Sequence, residues 1–221
     1  MKSSHRLTRL FAAWILPAAL IVSASLAVAT DTVEQQLNQA YAAYNQGDYA
    51  TAARIIEPLA QQGDAQAQYN LGALYANGQG VKQDYARAKA LYEQAAKQGY
   101  AEAQYNLGLL YDNGQGVKQS YARAKALYEQ AAQQGFANAQ YNLGVMYYSG
   151  KGVKQDYARA KALFEQAAQQ GLAPAQYNLG VMYSNGQGVK QDIRQAEYWL
   201  QQAAAQGDQN AINNLKILRG Q

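Results

Sequence analysis

Cysteine is absent from the chain, and the one histidine, His5, stands among the first few residues. No disulfide scaffold can form, and no thiolate can act as ligand or nucleophile. Downstream of residue 30 a metal site would have to be built from carboxylates alone, and these fall one to a few per repeat rather than in a cluster. Serine is nearly as scarce. Ser120, Ser149 and Ser184 are the only ones beyond residue 30, none opens an S-x-x-K motif, and no histidine stands by as a base. The sequence therefore predicts no catalytic residue, no metal and no cofactor. Large aliphatic residues are also sparse. The 49% hydrophobic share rests heavily on alanine and on 19 tyrosines, which suits closely packed helices better than a bulky core.

The first thirty residues differ from the rest. MKSSHRLTR is basic and short, LFAAWILPAALIVSASLAVA is apolar, and Ala27 and Ala29 occupy the two positions of an A-x-A cleavage site. Residues 1–29 read as a signal peptide, so the expected location is the periplasm or the cell exterior and surface, with no membrane span after cleavage. The alternative is an uncleaved anchor, because the run from Leu10 to Ala29 is about long enough to span a bilayer. No cysteine follows the run, which excludes a lipidated N-terminus. Without Lys2, Arg6 and Arg9, 16 of the 19 basic residues face 15 acidic ones, a net charge of about +1. That balance offers nucleic acid no basic surface.

Beyond the leader the chain repeats itself. AQYNLGALYANGQGVKQDYARAKALYEQAA runs from Ala67 to Ala96, and near copies begin at Ala103, Ala139 and Ala175. Gly72, Gly108, Gly144 and Gly180 are spaced by 36 residues. A fixed period of this size points to a solenoid of units 65–100, 101–136, 137–172 and 173–208. Each unit reads as two helices. Ala67, Leu71, Leu74 and Tyr75 form one apolar stripe at helical spacing, and Asn77-Gly78 ends that helix. Asp84, and Ser120, Asp156 and Asp192 in register, are N-caps for the second helix. Gly72 and Ala88 leave room for the two backbones to approach. Asp48 to Gly63 aligns with Asp84 to Gly99 at the same offset, so residues 30–64 form a plainer first hairpin. Residues 209–221 read as a capping helix started by Asp208, with Lys216 and Arg219 at its negative end.

The pattern AQYNLGxxYxxGxGVxQDxxxAxxxxxQAAxQG resembles the Sel-one-like repeat (SLR), a relative of the tetratricopeptide repeat, over residues 65–208. The resemblance implies an all-α, right-handed α/α superhelix whose first helices line a concave surface. It also implies a non-catalytic adaptor that binds a protein or peptide partner, in the bacterial envelope where a signal peptide is present. Some cysteine-rich secreted relatives are linked to β-lactam hydrolysis, but this chain lacks their cysteines and any catalytic set. A cell-wall factor that engages peptidoglycan through stacked tyrosines stays open as an alternative function. The oligomeric state is open as well.

Mapped onto that face, Asn70, Asn106, Asn142 and Asn178 form one row, and Tyr69, Tyr105, Tyr141 and Tyr177 another. Each row either holds a partner or packs the array, and identity in every unit is what shared packing demands. Positions that vary between units are the better candidates for recognition. They are Gln66, Glu102, Asn138 and Pro174; Ala76, Asp112, Tyr148 and Ser184; and Ala73, Leu109, Val145 and Val181. Drift at solvated positions is the competing reading of these rows. The GQGVKQ stretch is a turn, not a phosphate loop. It follows a helix, lacks a third glycine, and no Lys-Ser/Thr follows.

Overall fold

The computed structural model describes residues 24–220, and most of the expected signal peptide 1–29, residues 1–23, lies outside them. Among the described residues every regular element is a helix. The chain divides into two compact units, one ending at Gln119 and the other beginning at Ser120. The first unit holds α1 (Ala24–Asn45), α2 (Tyr49–Gln61), α3 (Ala65–Asn77), α4 (Tyr85–Lys97) and α5 (Ala101–Asn113). The second holds α6 (Tyr121–Gln133), α7 (Ala137–Ser149), α8 (Tyr157–Gln169), α9 (Ala173–Asn185), α10 (Ile193–Ala205) and α11 (Gln209–Leu218). Within each unit, each helix packs on its neighbours in the chain, so helix pairs stack one after another. The hairpin expected over 30–64 is α1 and α2, although α1 starts at Ala24, upstream of the anticipated cleavage point.

Local chemistry sets the helix ends. The Asp84 carboxylate accepts from the N–H groups of Ala86 and Arg87. Asp156 accepts from Arg159, Asp192 from Gln195, and the Ser120 hydroxyl from Arg123. Asp48, Asp64 and Asp208 cap α2, α3 and α11 in the same way. These bonds satisfy N–H groups that have no partner within the helix. The carboxyl of Asp48 is held below its usual value by the Thr51 backbone bond. At the far end of α11, Arg219 is the C-cap, its backbone N–H meeting the carbonyls of the last turn. Its Nε donates to Glu197 of α10 at 2.8 Å.

The stacking depends on small residues. A Cβ placed on Gly72 would lie 2.8 Å from the Tyr92 ring and 3.4 Å from the Ala88 carbonyl. Gly144 meets Phe164 and Gly180 meets Leu200 in the same register. Tyr92, Phe164 and Leu200 are therefore large, fully buried side chains that each fill the space a glycine leaves.

The second glycine of each loop has a different role. Gly80, Gly116, Gly152 and Gly188 all have φ between +66° and +73°. A Cβ on Gly116 would sit 2.5 Å from Tyr85 Cβ, and one on Gly188 2.6 Å from the Tyr157 carbonyl carbon. Gly80 and Gly152 press on Tyr49 and Tyr121. The loop of one repeat thus rests on the first residue of the preceding repeat's second helix. Gln83, Gln155 and Gln191 tie the loops down by donating to the carbonyls of Ala76, Tyr148 and Ser184 at 2.8 Å.

Candidate functional site

Helical spacing puts residues 66, 70 and 73 on one face of α3 with residue 76 at its edge, and their counterparts likewise on α5, α7 and α9. In the first unit that face is largely closed. Asn70 is 0% exposed and Asn106 1%, so neither presents its carboxamide at the surface. Ala73, Ala76 and Leu109 are buried, while Gln66, Glu102 and Asp112 are half-buried. In the second unit Asn138, Asn142, Asn178, Val145, Val181, Tyr148 and Ser184 are all half-buried, and Pro174 is exposed.

The tyrosine and asparagine rows meet each other. Asn214, one repeat beyond Asn178, lies 3.5 Å from the Tyr177 hydroxyl through its Nδ2. Burial raises the pKa of the Tyr141 phenol, and a hydrogen bond with Asn178 opposes that shift. The tyrosines also pack sideways. Tyr69 stands 6.0 Å from Tyr92 and 5.3 Å from Tyr100, and Tyr141 stands 5.7 Å from Phe164, between ring centroids. Tyr148 donates to Gln187 of the next loop at 3.0 Å and sits edge-on to Tyr157 at 5.2 Å. Its hydroxyl thus joins one repeat to the next, while its ring packs within its own repeat.

Other candidates converge. Val181 and Ser184 line a cavity of about 190 Å³ bounded by α9, α10 and α11. Asn185, Leu200, Asn214 and Ile217 complete most of its wall, and Ile217 is 73% exposed. The cavity walls carry no charged group.

A glutamine set missed in the sequence joins the repeats. Gln68, Gln104, Gln140 and Gln176 are each 4–5% exposed. Each donates through Nε2 to a carbonyl near the end of the preceding second helix: Ala60, Ala96, Ala132 and Ala168. A second glutamine at the end of the next second helix donates to the first. Gln98 reaches Gln68 at 2.9 Å, Gln170 reaches Gln140 at 2.8 Å, and Gln206 reaches Gln176 at 2.8 Å. Gln98 and Gln206 also donate to the carbonyls of Gly63 and Gly171. Replacing Gln176 with leucine leaves the Ala168 carbonyl and a Gln206 donor without their bonds. The expected loss is about 2 kcal/mol in chemical denaturation. The same change at exposed Gln201 is expected to move stability by less than about 0.5 kcal/mol.

A family model described as the Sel1 repeat matches residues 65–100, 101–136, 137–172 and 173–208. The chain belongs to the Sel1 repeat family. Solved Sel1 structures share its fold. A Sel1 repeat protein from Oxalobacter formigenes is 33% identical with a TM-score of 0.77, over 83% of this chain and 77% of that one. A protective antigen of uropathogenic Escherichia coli strains, displaying an SLR fold, is 41% identical with a TM-score of 0.74. That match covers 76% of this chain but only 36% of the antigen's length. An immunity protein from Pseudomonas aeruginosa is 26% identical with a TM-score of 0.52, over 78% of this chain and 68% of that one. No curated protein matches the chain. Sel1 repeat proteins are generally protein-interaction scaffolds without catalytic activity. Among the described residues no helix is long and apolar enough to cross a membrane, and no group of three or more His, Cys, Asp or Glu could hold a metal ion.

Proposed function

We propose that this Sel1 repeat protein is a non-catalytic scaffold of the bacterial envelope that holds a segment of a partner protein along its first-helix face. One observation carries the reading. Val181 and Ser184, which vary between repeats, share an uncharged cavity with an Ile217 left 73% exposed. An exposed aliphatic residue beside a half-buried valine and two asparagines suits an extended segment. Apolar contact would supply the affinity, and the Asn185 and Asn214 carboxamides can meet a backbone N–H or C=O. The leader-like first 29 residues support export, and no charged wall of this cavity calls for an ionic ligand.

Photo-crosslinking tests the reading. A crosslinkable residue at Ile217 or Ser184 is expected to capture one discrete envelope protein. The same residue at Gln201, exposed on α10, is expected to capture none. Val181→Arg should abolish capture at Ser184 and leave the melting temperature nearly unchanged. Equal crosslinking from Gln201, or full capture by Val181→Arg, refutes the site. Mass measurement of protein made with its own leader tests cleavage after Ala29.

A further inference from the structure

Three of the second helices carry a lysine and a glutamate four residues apart that meet. Lys89 reaches Glu93 at 2.7 Å, Lys125 reaches Glu129 at 2.6 Å, and Lys161 reaches Glu165 at 2.6 Å. The ammonium also belongs to a tyrosine of the following first helix. Lys161 Nζ stands 5.6 Å from the Tyr183 ring centroid, and the Tyr183 hydroxyl reaches Glu165 at 3.5 Å. In the second unit's groove between α6 and α8, Lys125 sits with Glu129, Tyr147 and Arg159. Its hydrogen bond to Glu129 raises its pKa, Tyr147 adds to this, and burial and Arg159 oppose it.

The first unit repeats this arrangement with one part missing. At the offset of 36, Glu57 stands in register with Glu93, Glu129 and Glu165, and Tyr75 in register with Tyr147 and Tyr183. Arg87 corresponds to Arg159. Arg87 Nη1 donates to the Tyr75 hydroxyl at 2.9 Å with its guanidinium 5.3 Å from the ring centroid. The Arg159 pair measures 3.3 Å and 5.4 Å. The residue in register with the lysines, however, is Ala53, buried in the core. Glu57 therefore has no lysine one turn before it. A cavity of about 540 Å³ opens at this place between α2 and α4, above α3. Glu57, Tyr75 and Arg87 line it, with Leu71 and Leu91 as the apolar part of its wall and Gln94 beside them.

We propose that this groove binds an alkylammonium group, which takes the place that the chain's own lysine ammonium fills in the later repeats. The ammonium rests on the Glu57 carboxylate and beside the Tyr75 ring, and its alkyl chain lies along Leu71 and Leu91. Arg87 does not exclude it, because Arg159 and Lys125 already share the equivalent groove in the second unit. The chemistry is that of a lysine side chain or of a free aliphatic diamine. The site lies on the second-helix side and is independent of the first-helix face discussed above. Because Glu57 is exposed, the attraction is screened by water and salt, and binding falls in the millimolar range.

Amide shifts of the isotope-labelled full chain test this, with cadaverine and N-acetyl-lysine methylamide as probes. N-acetyl-norleucine methylamide has nearly the same shape without the charge. The expected result is saturable shifts at Leu71, Tyr75 and Leu91 with both amines and none with the norleucine compound. Tighter binding of cadaverine points to a free diamine, and tighter binding of the lysyl compound to a lysine of a partner protein. Glu57→Gln should weaken either amine by about threefold. Ala53→Lys restores the internal pair and should abolish binding. If that variant does not fold, Glu57→Gln on its exposed carboxylate still decides. No saturable shift, an equal response to the norleucine compound, or unchanged affinity in Glu57→Gln overturns the proposal.

Discussion

Gly188→Val is expected to lower stability by about 4 kcal/mol in urea denaturation. Two costs add at this position. Its φ is +66°, a region where a β-branched residue is strained by about 1–3 kcal/mol. The new Cβ would also fall 2.6 Å from both the carbonyl carbon and Cβ of Tyr157. Those atoms belong to the first residue of α8, where the backbone cannot step aside, so overpacking adds about 1–3 kcal/mol. Gly171→Val separates the two costs. Its φ is +87°, but nothing lies within 4 Å of its Cβ direction. Strain alone should cost about 2 kcal/mol there. Equal losses at the two glycines would show that the loop's seat on α8 contributes nothing.

The crossing of α7 and α8 should respond to a paired change. Gly144→Leu places a side chain 2.7 Å from the Phe164 ring and 3.4 Å from the Ala160 carbonyl. About 3 kcal/mol should be lost, at the upper end of overpacking. Phe164→Ala removes a ring that is 0% exposed and should cost about 4 kcal/mol. Combined, the leucine enters part of the space the ring vacates. The double variant should therefore be more stable than the sum of the two losses by at least about 1 kcal/mol. Strict additivity would show that glycine and ring do not share that space.

Much of this architecture was legible because its signals are local. Asp84, Asp156 and Asp192 are good caps by type and each begins an apolar run, and Gly72 recurs at the repeat period. The sequence marks Gly188 as a turn residue, which accounts for its φ but not for its contact with Tyr157. That contact joins residues from different repeats, and no short window of sequence contains both. The glutamines were missed for a related reason. On a helix, glutamine usually denotes a solvated surface, and only the packing of α10 on α9 brings Gln206 to Gln176. The candidate binding rows mixed two populations. Asn70 and Asn106 recur because they are packed inside, Tyr148 differs yet braces the next loop, and Val181 and Ser184 differ and line a cavity. Repetition and variation alone do not separate these cases, because an inward-facing helix position becomes core or groove only when its neighbours are placed. Ala53 shows the converse. Its departure from the lysine register is plain in the sequence, but its consequence appears only beside Glu57 and Tyr75.

The glutamine joints also fix how the array answers its surroundings. Every link from Gln68 to Gln98, from Gln140 to Gln170 and from Gln176 to Gln206 is made of carboxamides and carbonyls. None of these groups titrates, and none is a net charge for salt to screen. These glutamine joints thus carry no proton and no counterion. A shift in acidity or ionic strength would reach the Lys–Glu pairs and the Arg219–Glu197 pair while the glutamine bonds stayed as they were.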